Sequence, residues 1–512
     1  MVLFQAIAVR EHWVYYFMQS NLLNQLVKLS ESDMYPFHMP GHKRQSMHEL
    51  SVTKYDITEI DGFDNLYAPE GLLQQCMERA ATVYGSRKAL LGVNGSTGNL
   101  LAAISAAFHP GDVVLVARNC HKAVYHALEL RQLKPKFIYP ETEDALCVCK
   151  GLTGREVQTW LSAYEATEEG REHPVAGMIL TSPTYEGFVS QINEIAALLH
   201  ERNAVLIVDE AHGAHFGFHE AFPVSAVKEG ADLVIQSLHK TLPAMTQTSL
   251  LHIATNRVCA SRVEKYFSMY QTSSPSYILM SSMELCIAVL EHEAKEVFSC
   301  YARLLEDFYH KMRKLSVLKV LPGEGRDPGK IVISVPKGDS AHCLYNLLRE
   351  KYHLQPEMCG LRHVLMMTSV FDTQEGFERL KSALLEIDEE WKNAALGQRK
   401  KLCPEGKDKT NGNQAEEPDG FDRIRNIRTV QCMMPAKTEG EETEFVCFAA
   451  SAGRISTEYL YLYPPGIPYV IPGEEVPEEL PPILMILQEK GYRLLGNQQK
   501  EGLQRREKQR NG

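Results

Sequence analysis

The segment S-L-H-K at 237–240 places a lysine just past a short apolar run, DLVIQS at 232–237. A lysine there has two readings. One is a solvated surface amine, the commonest state of that residue. The other is a Schiff-base lysine, activated by desolvation or by neighbouring cations. His239 beside it, with Ser237 and Thr241 around it, suggests a polar pocket that would also suit a phosphate. About thirty residues upstream, Asp209 closes the run AVLIVD, and E-A-H-G-A-H follows at 210–215. His212 and His215 are three apart and would share a face if the segment were helical, but Gly213 opposes a helix. This group admits a metal site that lacks a third firm ligand. It also admits a carboxylate partner for a pyridinium nitrogen, which keeps the ring an electron sink.

A third element is V-N-G-S-T-G-N at 93–99, where Gly95, Ser96 and Thr97 precede a helix expected over 98–108. Small residues before a helix expose its free N–H groups and positive dipole end, which is an anion site. No G-K-[ST] follows, so the Walker pattern is absent, as is a dinucleotide fingerprint. His38 and His42 in FHMPGHK resemble a metal pair, but Pro40 and Gly41 lie between them. We read them as a folded entry loop and assign no metal.

The elements that must position these residues alternate. DVVLVA at 112–117, VAGMILTS at 175–182, AVLIVD at 204–209 and DLVIQS at 232–237 read as buried parallel strands. Helical patterns such as 192–203 separate them, which implies crossover units and an α/β layering with a mainly parallel sheet. After about residue 275 a long helical stretch leads into an α+β unit that ends near 396. The expected organisation is an N-terminal helical arm (1–32), a large domain (33–275), a small α+β domain (276–396), a polar Gly/Pro-rich linker (397–419), a C-terminal α+β domain (420–500) and a polar tail (501–512) that would fray. Whether Met1 or Met18 is the true start stays open.

Composition narrows the classes. The 512 residues are 44% hydrophobic and 23% charged, which excludes collagen-like, mucin-like and fully disordered chains. A net charge of −11 argues against coating nucleic acid. The 12 cysteines are scattered, with no C-x-x-C pair, and read as reduced and cytoplasmic. No run of apolar residues is long enough for a membrane span, and the N-terminus lacks a basic region typical of a signal peptide.

Nine motifs in order carry a resemblance. PFHMPGHK (36–43), DITEIDGFDNLYAPEG (56–71), VNGSTGN (93–99), RNCHKAVYHAL (118–128), TSPTYEG (181–187), DEAHGAHF (209–216), SLHKTLPAMTQTSLLH (237–252), YQTSSPSY (270–277) and GRISTEYLYLYPPGIPYVIPGE (453–474) are similar to those of the Orn/Lys/Arg decarboxylase family, in its shorter bacterial form without an N-terminal wing domain. The resemblance implies the fold of pyridoxal-phosphate-dependent transferases (fold type I). That fold has a three-layer α/β/α large domain, a smaller α+β domain and, here, a C-terminal α+β domain. The cofactor implied is pyridoxal 5'-phosphate. The reaction implied is decarboxylation of a basic amino acid, arginine first, then lysine or ornithine, releasing agmatine, cadaverine or putrescine. An aminotransferase would use the same cofactor site, and a non-catalytic relative would be expected to lack Lys240 or Asp209.

Carried over position by position, the resemblance makes Lys240 the Schiff-base lysine and Asp209 the partner of the ring nitrogen. His121 would stack on one ring face and Ala211 would close the other. Gly95, Ser96 and Thr97 would hold the phosphate with Ser237 and His239. Ser182, Thr184 and His212 would lie near the ring oxygen or the substrate. Thr272 and Ser273 would approach the phosphate of a neighbouring subunit, which implies a homodimer or larger homo-oligomer with shared sites; a helix-capping role is the alternative. Glu357 is a candidate for the distal cation of the substrate. Tyr67 stands where histidine is expected, which touches on specificity.

Overall fold

The computed structural model describes residues 21–32, 51–143, 145–394, 427–438, 441–462, 466–489, 494–495 and 502–506. His38, His42 and the linker 397–419 lie outside them. The chain divides into two compact units, Met1–Ala107 with Val205–Tyr301, and Phe108–Ala204 with Ala302–Gly512. The strands that bear on the site are, in chain order, β1 Lys88–Gly92, β2 Val113–Ala117, β3 Lys134–Ile138, β4 Val175–Thr181, β5 Val205–Asp209, β6 Leu233–Ser237 and β7 Ser249–Ile253.

In the first unit the strand order is β1-β7-β6-β5. β5 and β6 pair in parallel, with Asp209 opposite Ile235. Leu206, Ile207, Val208, Leu233, Val234 and Ile235 are all fully buried, as continuous apolar runs covered on both faces should be. β7 runs antiparallel to β6, with Ser237 opposite Ser249. This reversed strand was not separated from the lysine motif by its sequence. Its direction follows from the link 238–248, which is too short for a parallel crossover.

In the second unit the order is β4-β2-β3, all parallel. The helix Lys122–Leu130 crosses between β2 and β3. A separate antiparallel sheet contains Lys319–Val320, Lys330–Ser334, His363–Met367 and Met358–Cys359. The C-terminal segment has its own core, where Leu480, Ile483, Leu484 and Leu487 of one helix pack with Leu460, Val470 and Val476. Within the tail expected to fray, Gly502–Arg506 forms a strand paired with Glu444–Cys447. Backbone pairing offsets its polar composition there. The long helix expected after 275 is Tyr277–Met312. Among the described residues no helix is long and apolar enough to cross a membrane.

Candidate active site

The helix expected over 98–108 begins earlier, at Gly95, and ends at Ala107. VNGSTGN therefore supplies the helix's first turn rather than a loop before it. That turn contains no acidic residue, so the positive end of the helix is uncompensated. Gly95 has φ of 65°, a conformation a side chain would strain. Its N–H donates to the Gln247 carbonyl at 2.9 Å, so that amide is already engaged. Ser96 and Thr97 carry the first-turn amides that follow, which lack intrahelical partners. Ser96 Oγ lies 2.7 Å from Ser237 Oγ at the end of β6, which brings two hydroxyls to the helix start.

Gln271 secures the approach to this turn. Its Oε1 accepts from the Val93 and Asn94 amides at 3.0 and 3.1 Å, and its Nε2 donates to Asn99 Oδ1. Asn94 Nδ2 donates to the Tyr270 carbonyl at 3.0 Å. The motif YQTSSPSY is thus tied to VNGSTGN within one chain. A Cβ on Gly98 would come within 2.9 Å of Gln271 Nε2 and 3.2 Å of the Tyr270 carbonyl, so this closeness requires glycine. Sequence reasoning missed Gln271. Its place in a quoted motif was the available signal.

Lys240 sits on the short helix Leu238–Thr241 that leaves β6. Its Nζ lies 3.0 Å from His212 Nε2. Asp209, at the end of the neighbouring strand, is 3% exposed and accepts from the Ala211 amide at 3.2 Å. Burial pushes its carboxyl above the ordinary carboxylate value, while the Lys240 charge and the Ala211 N–H pull it back. His239 Nδ1 donates to the Thr248 carbonyl at 2.9 Å, and burial lowers its pKa. His212 and His215 part company. Consecutive turns at Gly213 and Phe216 replace a helix, and the His215 ring packs against Phe216 and Phe222 at 4.8 and 5.3 Å. His212 thus meets Lys240 while His215 meets the phenylalanines.

Thr272 and Ser273 do not cap the helix that starts at Tyr277. Ser276 Oγ accepts the Leu279 amide there. The Thr272 carbonyl instead accepts from the Tyr67 hydroxyl. Burial, then the Glu59 charge, raise the Tyr67 phenol to about 12, so it remains a donor. Tyr67 belongs to a loop gathered around Asp64, whose carboxylate accepts from the Asn65, Glu70, Gly71, Leu73 and Gln74 amides.

The remaining candidates lie in the second unit. His121 is the N-cap of the helix Lys122–Leu130, and its Nδ1 accepts from the Ala123 amide at 3.2 Å. That bond leaves the proton of a neutral ring on Nε2. Ser182 Oγ accepts from the Ser190 amide, and Thr184 Oγ1 from the Phe188 amide. Each hydroxyl keeps its own hydrogen to donate. Glu357 is exposed, and its Oε1 accepts from Tyr185 O–H at 2.5 Å. Tyr185 follows Thr184 in TSPTYEG and was not singled out from the sequence.

The donor set of the first unit fits pyridoxal phosphate. It offers a lysine amine for the aldehyde, a buried carboxylate for the ring nitrogen, and amides and hydroxyls at a helix start for the phosphate.

Comparison with known proteins agrees. The family model for the Orn/Lys/Arg decarboxylase major domain matches residues 20–321, and that for the C-terminal domain matches 428–508. An uncharacterised protein of Bacillus subtilis, YaaO, is 32% identical, over 90% of this chain and 93% of its own length. An arginine decarboxylase of Halalkalibacterium halodurans is 30% identical, over 90% of this chain and 91% of its own. The crystal structure of the Francisella novicida lysine decarboxylase LdcF superposes with a TM-score of 0.78 at 20% identity, covering 95% of this chain and 80% of that one, which supports the fold.

Proposed function

We infer that this chain, which belongs to the Orn/Lys/Arg decarboxylase family and is a pyridoxal-phosphate-dependent decarboxylase of basic amino acids, takes arginine as its substrate. Two observations support arginine. Relatives at 30% and 29% identity over 90% of the chain are named arginine decarboxylases. In addition, Glu357 offers an open carboxylate steadied by Tyr185. A planar guanidinium favours such a partner, because it donates two parallel N–H bonds.

The roles of Lys240, Asp209, Ser96, Thr97 and Ser237 are proposed on the geometry of the first unit, and those of the other residues on the resemblance to the family. Lys240 would hold the cofactor through its amine, and Asp209 would hold a proton on the ring nitrogen. Ser96, Thr97 and Ser237 would donate to the phosphate. His121 is assigned a ring face and Ala211 the other; Ser182, Thr184 and His212 are assigned to the ring oxygen or the substrate. Thr272 and Ser273 are assigned to a partner subunit's phosphate. The bound group supplies an electron sink for the pair released as the Cα–carboxylate bond breaks and carbon dioxide leaves. A proton must then reach Cα. Lys240 Nζ would deliver it, and His212 Nε2, 3.0 Å from that amine, would replace it. That contact, beside a buried Asp209, is the observation that carries the reading.

We further propose that the enzyme is cytoplasmic and works as a homodimer or larger homo-oligomer with active sites shared between subunits, as the family resemblance implies.

The deciding experiment supplies the purified protein with pyridoxal phosphate and then with arginine, lysine and ornithine in turn. Release of carbon dioxide with agmatine, and no need for an amino acceptor, supports the reading. Turnover of lysine or ornithine alone would remove arginine. A visible cofactor band that survives in Lys240→Ala would remove that lysine's role.

A further inference from the structure

His121 is carried between Arg118 and the helix Lys122–Leu130, and residues of the C-terminal segment grip both flanks. On one side the Arg118 guanidinium is buried. Its Nη2 donates to Glu474 Oε2 at 2.9 Å and to the Tyr469 carbonyl at 3.1 Å. Its Nη1 donates to the Pro468 carbonyl at 2.7 Å and to the Tyr125 hydroxyl at 3.2 Å. Glu474 is fully buried and also accepts from the Ile471 amide and Thr429 Oγ1, at 2.9 and 2.6 Å. On the other side, the Tyr459 hydroxyl donates to Glu129 Oε2 at 2.6 Å, and its ring meets that of His126 at 5.1 Å. Lys122 Nζ stands 5.3 Å from the centre of the Tyr461 ring. The Tyr125 hydroxyl donates back to the Arg118 carbonyl at 2.7 Å, so the two flanks are also joined to each other.

This is a costly way to join two segments. A buried ion pair loses the hydration of both charges, and apolar side chains of similar volume would hold the contact as well. What the charges add is direction. Four guanidinium N–H bonds to fixed acceptors set the orientation of residue 118, three positions before the histidine. His121 Nδ1 is in turn locked onto the Ala123 amide, so the ring follows its backbone.

The geometry points to Arg118 and Glu474 as positioning residues. Through them the C-terminal segment sets the placement of the His121 ring and so the hold on the cofactor. The inference rests on the proposed contact between His121 and the cofactor.

The test compares full-length wild type, Glu474→Gln, Tyr459→Phe, His121→Ala and the His121→Ala/Glu474→Gln double variant. The readouts are the dissociation constant of pyridoxal phosphate, its visible circular dichroism, and hydrogen exchange of amides 118–124 in the protein without cofactor. Glu474→Gln should weaken cofactor binding about tenfold and Tyr459→Phe about threefold. Both should speed exchange at 118–124 and shift the dichroism in the direction His121→Ala does. Once His121 is gone, Glu474→Gln should have little further effect on binding, because the two act through one ring. If Glu474→Gln and Tyr459→Phe lower only the melting temperature, with cofactor affinity and dichroism unchanged, the positioning role is overturned. If His121→Ala itself leaves affinity and dichroism unchanged, the contact assigned to His121 is wrong and the inference falls with it. Should Glu474→Gln fail to fold, Tyr459→Phe decides, since it removes one hydroxyl.

Discussion

Lys240 Nζ and His212 Nε2 are 3.0 Å apart, and this contact joins the end of β6 to the turn that follows β5. One nitrogen must donate and the other accept. His212 is therefore the expected relay for the lysine's proton. His212→Ala should lower kcat by roughly 10²–10⁴-fold, the usual contribution of a proton-transfer group. The visible absorbance of the bound cofactor should persist. Single-turnover measurement of carbon dioxide release checks this, and an unchanged rate would remove the relay role.

Glu210, the neighbour of Asp209, predicts a pH-dependent stability. Its carboxyl is buried and accepts from Ser225 Oγ, the Ala226 amide and Gln236 Nε2. Burial outweighs these donors and raises its pKa from 4.5 to about 8. The folded state therefore binds more protons than the unfolded state across that window. The stabilisation is complete below 4.5 and is lost as pH rises through about 8. Wild type should lose on the order of a few kcal/mol across the window, whereas Glu210→Gln should show a flatter profile. Urea melts at several pH values measure it, and parallel profiles for the two proteins would refute the assignment.

Gln271→Ala should loosen the anion cradle. It removes the acceptor shared by the Val93 and Asn94 amides. Leaving buried donors unpaired costs about 1–3 kcal/mol each. A lower melting temperature and weaker binding of pyridoxal phosphate are expected together. Unchanged cofactor affinity would detach Gln271 from the cradle.

Recognition of the distal cation is tested at Glu357 and Tyr185. Glu357→Gln should raise KM for arginine by about ten- to a hundredfold, the worth of a charged hydrogen bond. Tyr185→Phe should have a smaller effect of the same kind, because it only frees the Glu357 carboxylate. The separation of KM from kcat is the measurement. An unaltered KM in Glu357→Gln would place the cation elsewhere.

Local pattern and tertiary structure contributed different parts. The buried runs of β2, β4, β5 and β6 were legible because a strand covered on both faces must be apolar throughout. Lys240, Asp209 and Ser96 were legible because their types stand at strand ends and a helix start, where polar groups meet ligands. β7 was hidden because SLLHI lies inside the lysine motif, and its reversed direction depends on the length of the link before it. The two histidines of DEAHGAH are equivalent in sequence. Only the packed chain turns one toward Lys240 and the other between Phe216 and Phe222. Gln271 reaches back 178 positions to Val93, and Arg118 reaches forward 356 positions to Glu474. Periodicity reports only which face of an element is buried. Which residue that face meets, hundreds of positions away, is settled by the packing of whole elements against one another, and no local pattern records that choice.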